Sequence, residues 1–168
     1  MPYFLRAIYS NIQWEKKQFP SWLKEGDLPS SIIRDLRADD NALSLWEIFD
    51  DKSNLLDISA ALASLRNNAK QDFDYALLNA DHLDELTFAP SEEPASTAYR
   101  DINHYHRNVP KLSLNSVVRF AHLLSRHGEF DRVGWKEISA RLKKAHASGL
   151  LDLTKMKSTL KKQLDITK

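Results

Sequence analysis

The segment Asn41-Ala42-Leu43-Ser44-Leu45-Trp46-Glu47-Ile48-Phe49 carries large apolar side chains on both faces of an extended chain. Leu43, Leu45 and Phe49 lie on one side, Trp46 and Ile48 on the other. A strand of this kind cannot leave either face in water, so it belongs in the middle of a covered sheet. Two other segments have strand character: Tyr3 to Tyr9, aromatic and aliphatic around a single Arg, and Phe73 to Leu78.

Helical signals fall between them. Gly26-Asp27-Leu28-Pro29-Ser30 places Pro and Ser at the start of a helix over 30–37. Ser53-Asn54 is the expected cap of an Ala- and Leu-rich helix with Leu55, Ile58, Leu62 and Leu65 spaced by three and four. Asn79 to Leu86 reads as another short helix, closed before Pro90. Strand, helix, strand, helix, strand, helix implies crossover connections and a small sheet that is parallel at least in part.

Beyond Lys111 the period is helical. Ser113 caps a helix with Val117, Phe120, Ala121 and Leu124, stopped at His127-Gly128. A second helix carries Trp135, Ile138, Leu142 and Ala145 and stops at Ser148-Gly149. A third, from Asp152 to about Leu164, has the stripe Leu153, Met156, Leu160 and Leu164. The expected fold class is therefore α+β. Residues 1–88 form a small, acidic N-terminal α/β layer of about three strands with covering helices, 89–111 are a linker or ordered excursion, and 112–168 are a basic, all-helical unit of three helices.

Charge follows the same division. The net charge of the 168-residue chain is +1, yet residues 1–110 hold 11 Lys and Arg against 18 Asp and Glu, whereas residues 111–168 hold 13 against 5. An asymmetry this large is a hint of an electrostatic partner, although a solvated helix face or two parts of one chain that attract each other is the simpler reading. The candidate binding residues are Arg141, Lys143 and Lys144 on the second of these helices and Lys155, Lys157, Lys161 and Lys162 on the third, with Lys168 beyond them. They would meet phosphates or an acidic protein surface; the acidic part would suit a basic partner. The basic helices carry only Trp135 as an aromatic, at a position that looks core-facing.

Composition excludes several classes. Apolar residues make up 42% and charged residues 28%, the balance of a globular chain. With no Cys there are no disulfides, thiolate metal sites or cysteine nucleophiles. No apolar run is long enough to span a bilayer, and the N-terminus lacks the pattern of a secretion signal, so a cytoplasmic protein without a membrane partner is expected. Only four Gly are present, with no phosphate-cradling loop and no Gly-x-Ser-x-Gly elbow, and no cofactor is expected.

The chemically richest stretch is Tyr99-Arg100-Asp101-Ile102-Asn103-His104-Tyr105-His106-Arg107-Asn108-Val109-Pro110. In an extended chain His104 and His106 would project to one side, with Asp101, His122 or His127 as a possible third metal ligand; ordinary hydrogen-bonding His is the simpler reading. Arg100 and His106 are separated by five residues, a spacing that resembles the Arg-x4-6-His motif of HEPN ribonucleases. That resemblance implies RNA cleavage, Arg stabilising the phosphoryl oxygens and His moving the ribose hydroxyl proton. Arg141 to His146 has a comparable spacing, and Val109-Pro110 would close early the long helix on which that family carries its motif. Asp50-x-Lys52 is a fragment of a nuclease metal-site pattern, or simply a polar turn before the Ser53-Asn54 cap. Trp14, Phe19 and Trp22, three large rings in nine residues, are expected to close one end of the sheet, the alternative being an exposed partner-binding patch.

Leu5-Arg6-Ala7-Ile8, Trp22-Leu23-Lys24-Glu25-Gly26-Asp27, Asp35-Leu36-Arg37 and Leu43-Ser44-Leu45-Trp46-Glu47-Ile48 together resemble small bacterial proteins of no assigned activity, over about the first half of the chain. The resemblance implies a bacterial cytosolic origin and carries over no catalytic residue. The expectation is a non-catalytic accessory, regulatory or immunity-type protein that recognises a protein or nucleic acid through complementary charge. The alternative is an RNA-cleaving enzyme built on Arg100, His104 and His106.

Overall fold

A computed structural model describes residues 2–8, 14, 30–33, 35–36, 42–66, 71–86, 90–110 and 112–166. Phe19, Trp22, residues 22–27 of the N-terminal pattern and Lys168 lie outside them.

Six strands form one sheet: β1 (Tyr3–Ala7), β2 (Leu43–Ile48), β3 (Phe73–Asn79), β4 (Ser91–Glu92), β5 (His106–Val109) and β6 (Glu129–Val133), in the order β4-β5-β2-β1-β3-β6. The helices are α1 (Ser30–Ile33), α2 (Leu55–Ser64), α3 (Leu114–His127), α4 (Trp135–Ala147) and α5 (Ser158–Leu164), with 3-10 turns at Ala80–Leu86, Arg100–Tyr105 and Leu153–Lys155.

Two expectations are overturned. Every strand pair is antiparallel, and strands and helices are interspersed, with β6 between α3 and α4, rather than divided into an N-terminal α/β layer and an all-helical C-terminal unit. The crossover inferred from strand–helix–strand order does exist. β2 and β3 both run antiparallel to β1 and therefore share a direction, joined through α2. β1 lies between them, so the two never pair, a split β-α-β arrangement. The all-helical reading fails at β6, which pairs with β3 from Phe73↔Val133 to Leu77↔Glu129. Its sequence, Glu-Phe-Asp-Arg-Val, is too charged to stand out as a strand, because an edge strand buries so little.

The two apolar faces of β2 are both buried. On one face Trp46, Ile48, Leu5, Tyr75 and Leu77 pack beneath α2, α4 and α5, whose Ile58, Ile138, Leu142, Leu160 and Leu164 complete that core. On the other, Leu43, Leu45, Ile8, Ala76 and Leu78 meet Phe120, Leu123 and Leu124 of α3 together with Trp14, Ile32 and Leu36. Trp14 stacks on Phe130 at 5.6 Å and donates from Nε1 to Asp35 Oδ2 at 2.8 Å, so this aromatic is a core residue.

In α2 the buried residues include Ser59, Ala60, Ala61, Ala63 and Ser64, whereas Leu65 is exposed. Small side chains turn inward because α2 is packed between the sheet and α4. Its N-cap, Asn54, makes no side-chain cap bond. Its amide instead accepts from Phe49 N–H (3.0 Å) and donates to the Glu47 carbonyl (3.1 Å), tying the start of α2 to the end of β2. The expected continuous third helix is broken. Asp152 accepts from Thr154 N–H and starts a single 3-10 turn, then extended backbone at Met156 and Lys157 drives Met156 into the core before α5 begins. No helix among the described residues is long and apolar enough to cross a membrane.

Candidate functional site

The polar stretch 99–110 folds as the 3-10 turn Arg100–Tyr105 followed directly by β5. That change of backbone separates its two histidines. His104 is exposed, with its ring 3.8 Å from that of Tyr105. His106 is buried beside Trp46, ring centroids 5.2 Å apart, and its Nδ1 donates to the Glu93 carbonyl at 2.6 Å. Arg100 projects to solvent 3.7 Å from Asp152. Arg100 and His106 thus engage different partners, and neither contact draws them together. No group of three or more His, Asp or Glu among the described residues is placed to hold a metal.

The rest of the stretch is structural. Asn103 receives the Thr97 hydroxyl at 2.7 Å and Thr97 N–H at 3.0 Å, closing the loop that precedes the turn. Arg107 donates to the carbonyls of His104 (2.7 Å) and His106 (2.9 Å) and pairs with Glu47 of the neighbouring strand at 2.5 Å. A carboxylate beside a guanidinium that also satisfies two carbonyls makes a charge-assisted clasp across β2 and β5. Ile102 and Val109 are buried.

Asp50-x-Lys52 is likewise committed to the fold. Lys52 adopts a left-handed backbone (φ 57°), pairs with Glu129 of β6 at 2.6 Å and lies over the Tyr3 ring at 4.9 Å. The hydrogen bond from Lys52 to Glu129 raises the lysine's pKa above its ordinary value. Asp51 accepts from Ser53 N–H at 2.9 Å, and that bond holds its carboxyl below the usual range. Pro2, Glu47, Phe49, Asp50 and Asp51 line an open depression of about 550 Å³, the acidic end of the sheet.

The basic residues divide into two groups. Arg141 is taken up by Asp57 of α2, with Nη2 to Oδ2 at 2.6 Å and Nε on Oδ1. Tyr99 joins this pair, and burial raises its phenol above the ordinary tyrosine value. Lys161 donates to the Leu153 carbonyl at 3.2 Å, and Lys155 to Ser96 Oγ at 2.8 Å. Lys143 and Lys144 on α4, and Lys157 and Lys162 beside and on α5, are exposed and lie in no ion pair with a described residue. They occupy the solvent side of the helical layer whose inner side holds Leu142, Ala145, Leu160 and Leu164.

Comparison with protein-family models, with curated proteins and with solved structures finds no match for the chain.

The neutralisation of Arg141 was out of reach of the sequence, since Asp57 is 84 residues away. The exposure of Lys143, Lys144 and Lys162 was accessible from helical spacing, because Leu142, Ala145, Leu160 and Leu164 mark the buried side of their helices, whereas Lys157 lies in the extended segment that breaks the expected third helix.

Proposed function

We propose that the protein is a non-catalytic binding protein whose basic α4–α5 layer recognises an anionic macromolecule. One observation carries this reading. Lys143, Lys144, Lys157 and Lys162 are exposed without a carboxylate partner among the described residues, while Arg141 of the same layer is fully engaged by Asp57. Like charges brought together on one side of a fold raise the local potential and attract polyanions, with an affinity that falls as salt is added. Tyr99, Asn103, His106 and Arg107 of the 99–110 stretch are taken up by contacts within the fold, which supports assigning recognition rather than bond cleavage to this side of the molecule.

Retention on immobilised heparin tests the reading. The parent protein should bind at low salt and elute as salt rises, and a Lys143→Glu, Lys144→Glu, Lys157→Glu, Lys162→Glu variant with an unchanged circular dichroism spectrum should flow through. Equal elution of the two would remove the basis of the proposal.

A further inference from the structure

Phe49, Tyr105 and His104 form a row of rings in which Phe49 and His104 are exposed and Tyr105 is half-buried. Phe49, 39% exposed, meets Tyr105 edge-on at 5.2 Å and 89°, and Tyr105 in turn contacts the exposed ring of His104 at 3.8 Å. The backbone fixes this row next to the cations. Ala95 N–H donates to the Asn103 carbonyl at 2.9 Å, which sets residues 95 and 96 against the turn that carries His104. Lys155 donates to Ser96 Oγ at 2.8 Å. Arg100 N–H donates to the Leu150 carbonyl, and its guanidinium, 64% exposed, lies at the start of the same turn. These contacts bring the turn that carries Arg100 and His104 next to Ser96 and Lys155, although residues 100–105 and 155 are far apart in the chain.

We propose that this surface binds single-stranded nucleic acid. Unpaired bases stack on His104 and Phe49, and the phosphates follow Arg100, Lys155, Lys157 and Lys162. The proposal rests on the anionic-partner reading above and names the partner's class. A cationic track with stacking rings at its side is the arrangement that suits a strand whose base faces are free. A duplex hides those faces within its own stack, and an acidic protein surface would use the cations and leave the rings idle. Glu47, Asp50 and Asp51 line the depression that Phe49 also lines. Their repulsion of phosphate keeps the backbone of the strand on the lysine side and leaves the ring side to bases.

The test is fluorescence anisotropy at low salt with labelled oligo(dT) and oligo(U) of about 20 nucleotides, a DNA duplex of the same length, heparin and poly-glutamate as competitors. Both single strands should bind more tightly than the duplex. A His104→Ala, Phe49→Ser variant should lose about tenfold in single-strand affinity while its heparin retention is unchanged. Lys157→Glu with Lys162→Glu should weaken both. If Phe49→Ser unfolds the protein, His104→Ala alone decides, since its side chain is at the surface. Equal binding of single strand, duplex and heparin, insensitive to the ring substitutions, would overturn this proposal and leave the anionic-partner reading standing. Preferential binding of poly-glutamate would overturn it in favour of an acidic protein, and no binding to any polyanion would sink both.

Discussion

Arg141 of α4 grips Asp57 of α2 through two guanidinium nitrogens, with Nη2 2.6 Å from Oδ2. Both side chains are largely withdrawn from water, so the pair falls between an exposed ion pair and a fully buried one. Asp57→Ala and Arg141→Ala should each lower stability by about 1–2 kcal/mol, and the double variant by less than the sum of the two, as read from urea unfolding. Heparin retention of Asp57→Ala should rise, because the substitution releases a guanidinium on the basic layer.

His106 is held by its neighbours and not by chemistry. Its Nδ1–H satisfies the Glu93 carbonyl at 2.6 Å, and its ring fills space against Trp46. His106→Ala should cost about 2 kcal/mol, the sum of one buried hydrogen bond and lost packing. His104→Ala should leave the urea midpoint within error. A destabilised His104→Ala beside an unchanged His106→Ala would contradict these placements.

The helix ends give a pair of opposite expectations. Gly128 has an ordinary φ of −71°, so no left-handed backbone demands it. A Cβ there would stand 2.4 Å from the Leu124 carbonyl oxygen, against backbone that cannot withdraw. Gly128→Ala should destabilise by roughly 2–3 kcal/mol. Asp165 ends α5 with φ 55° and a negative charge at a helix C-terminus, both unfavourable. Asp165→Gly should raise stability by about 0.5–1 kcal/mol, seen as a higher melting temperature.

The sequence was readable where a pattern has one physical cause. Leu-Ser-Leu-Trp-Glu-Ile is apolar on both faces and is indeed covered on both, and Ser113 accepts from Ser116 N–H at 3.2 Å as a helix cap should. Strand direction was not readable, because the insertion of β1 between β2 and β3 is a long-range event that no local period records. β6 escaped notice because its stability comes from cross-strand partners. Arg132 pairs with the buried Asp74 at 2.6 Å, and Asp74 lies 58 residues earlier. The site behaved in the same way. The exposure of Lys143 and Lys144 was accessible from helical spacing, whereas the meeting of Phe49, Tyr105 and His104 depends on how the 95–105 loop is folded.

Tyr75 supplies an expectation at high pH. Burial on β3 pushes its phenol up to about 12 from 10.0, and the nearby carboxylate of Asp131, whose Oδ2 lies 3.4 Å from the hydroxyl, adds to the effect. The folded protein therefore keeps the proton after the unfolded chain has lost it. The stability linked to this group is fully present below pH 10 and is lost as pH rises from about 10 to about 12. Tyr75→Phe removes the hydroxyl and with it this linkage. Urea midpoints measured from about pH 8 upward should fall more steeply above pH 10 for the parent than for Tyr75→Phe, and parallel curves would show that Tyr75 ionises as freely in the folded state as in the unfolded chain.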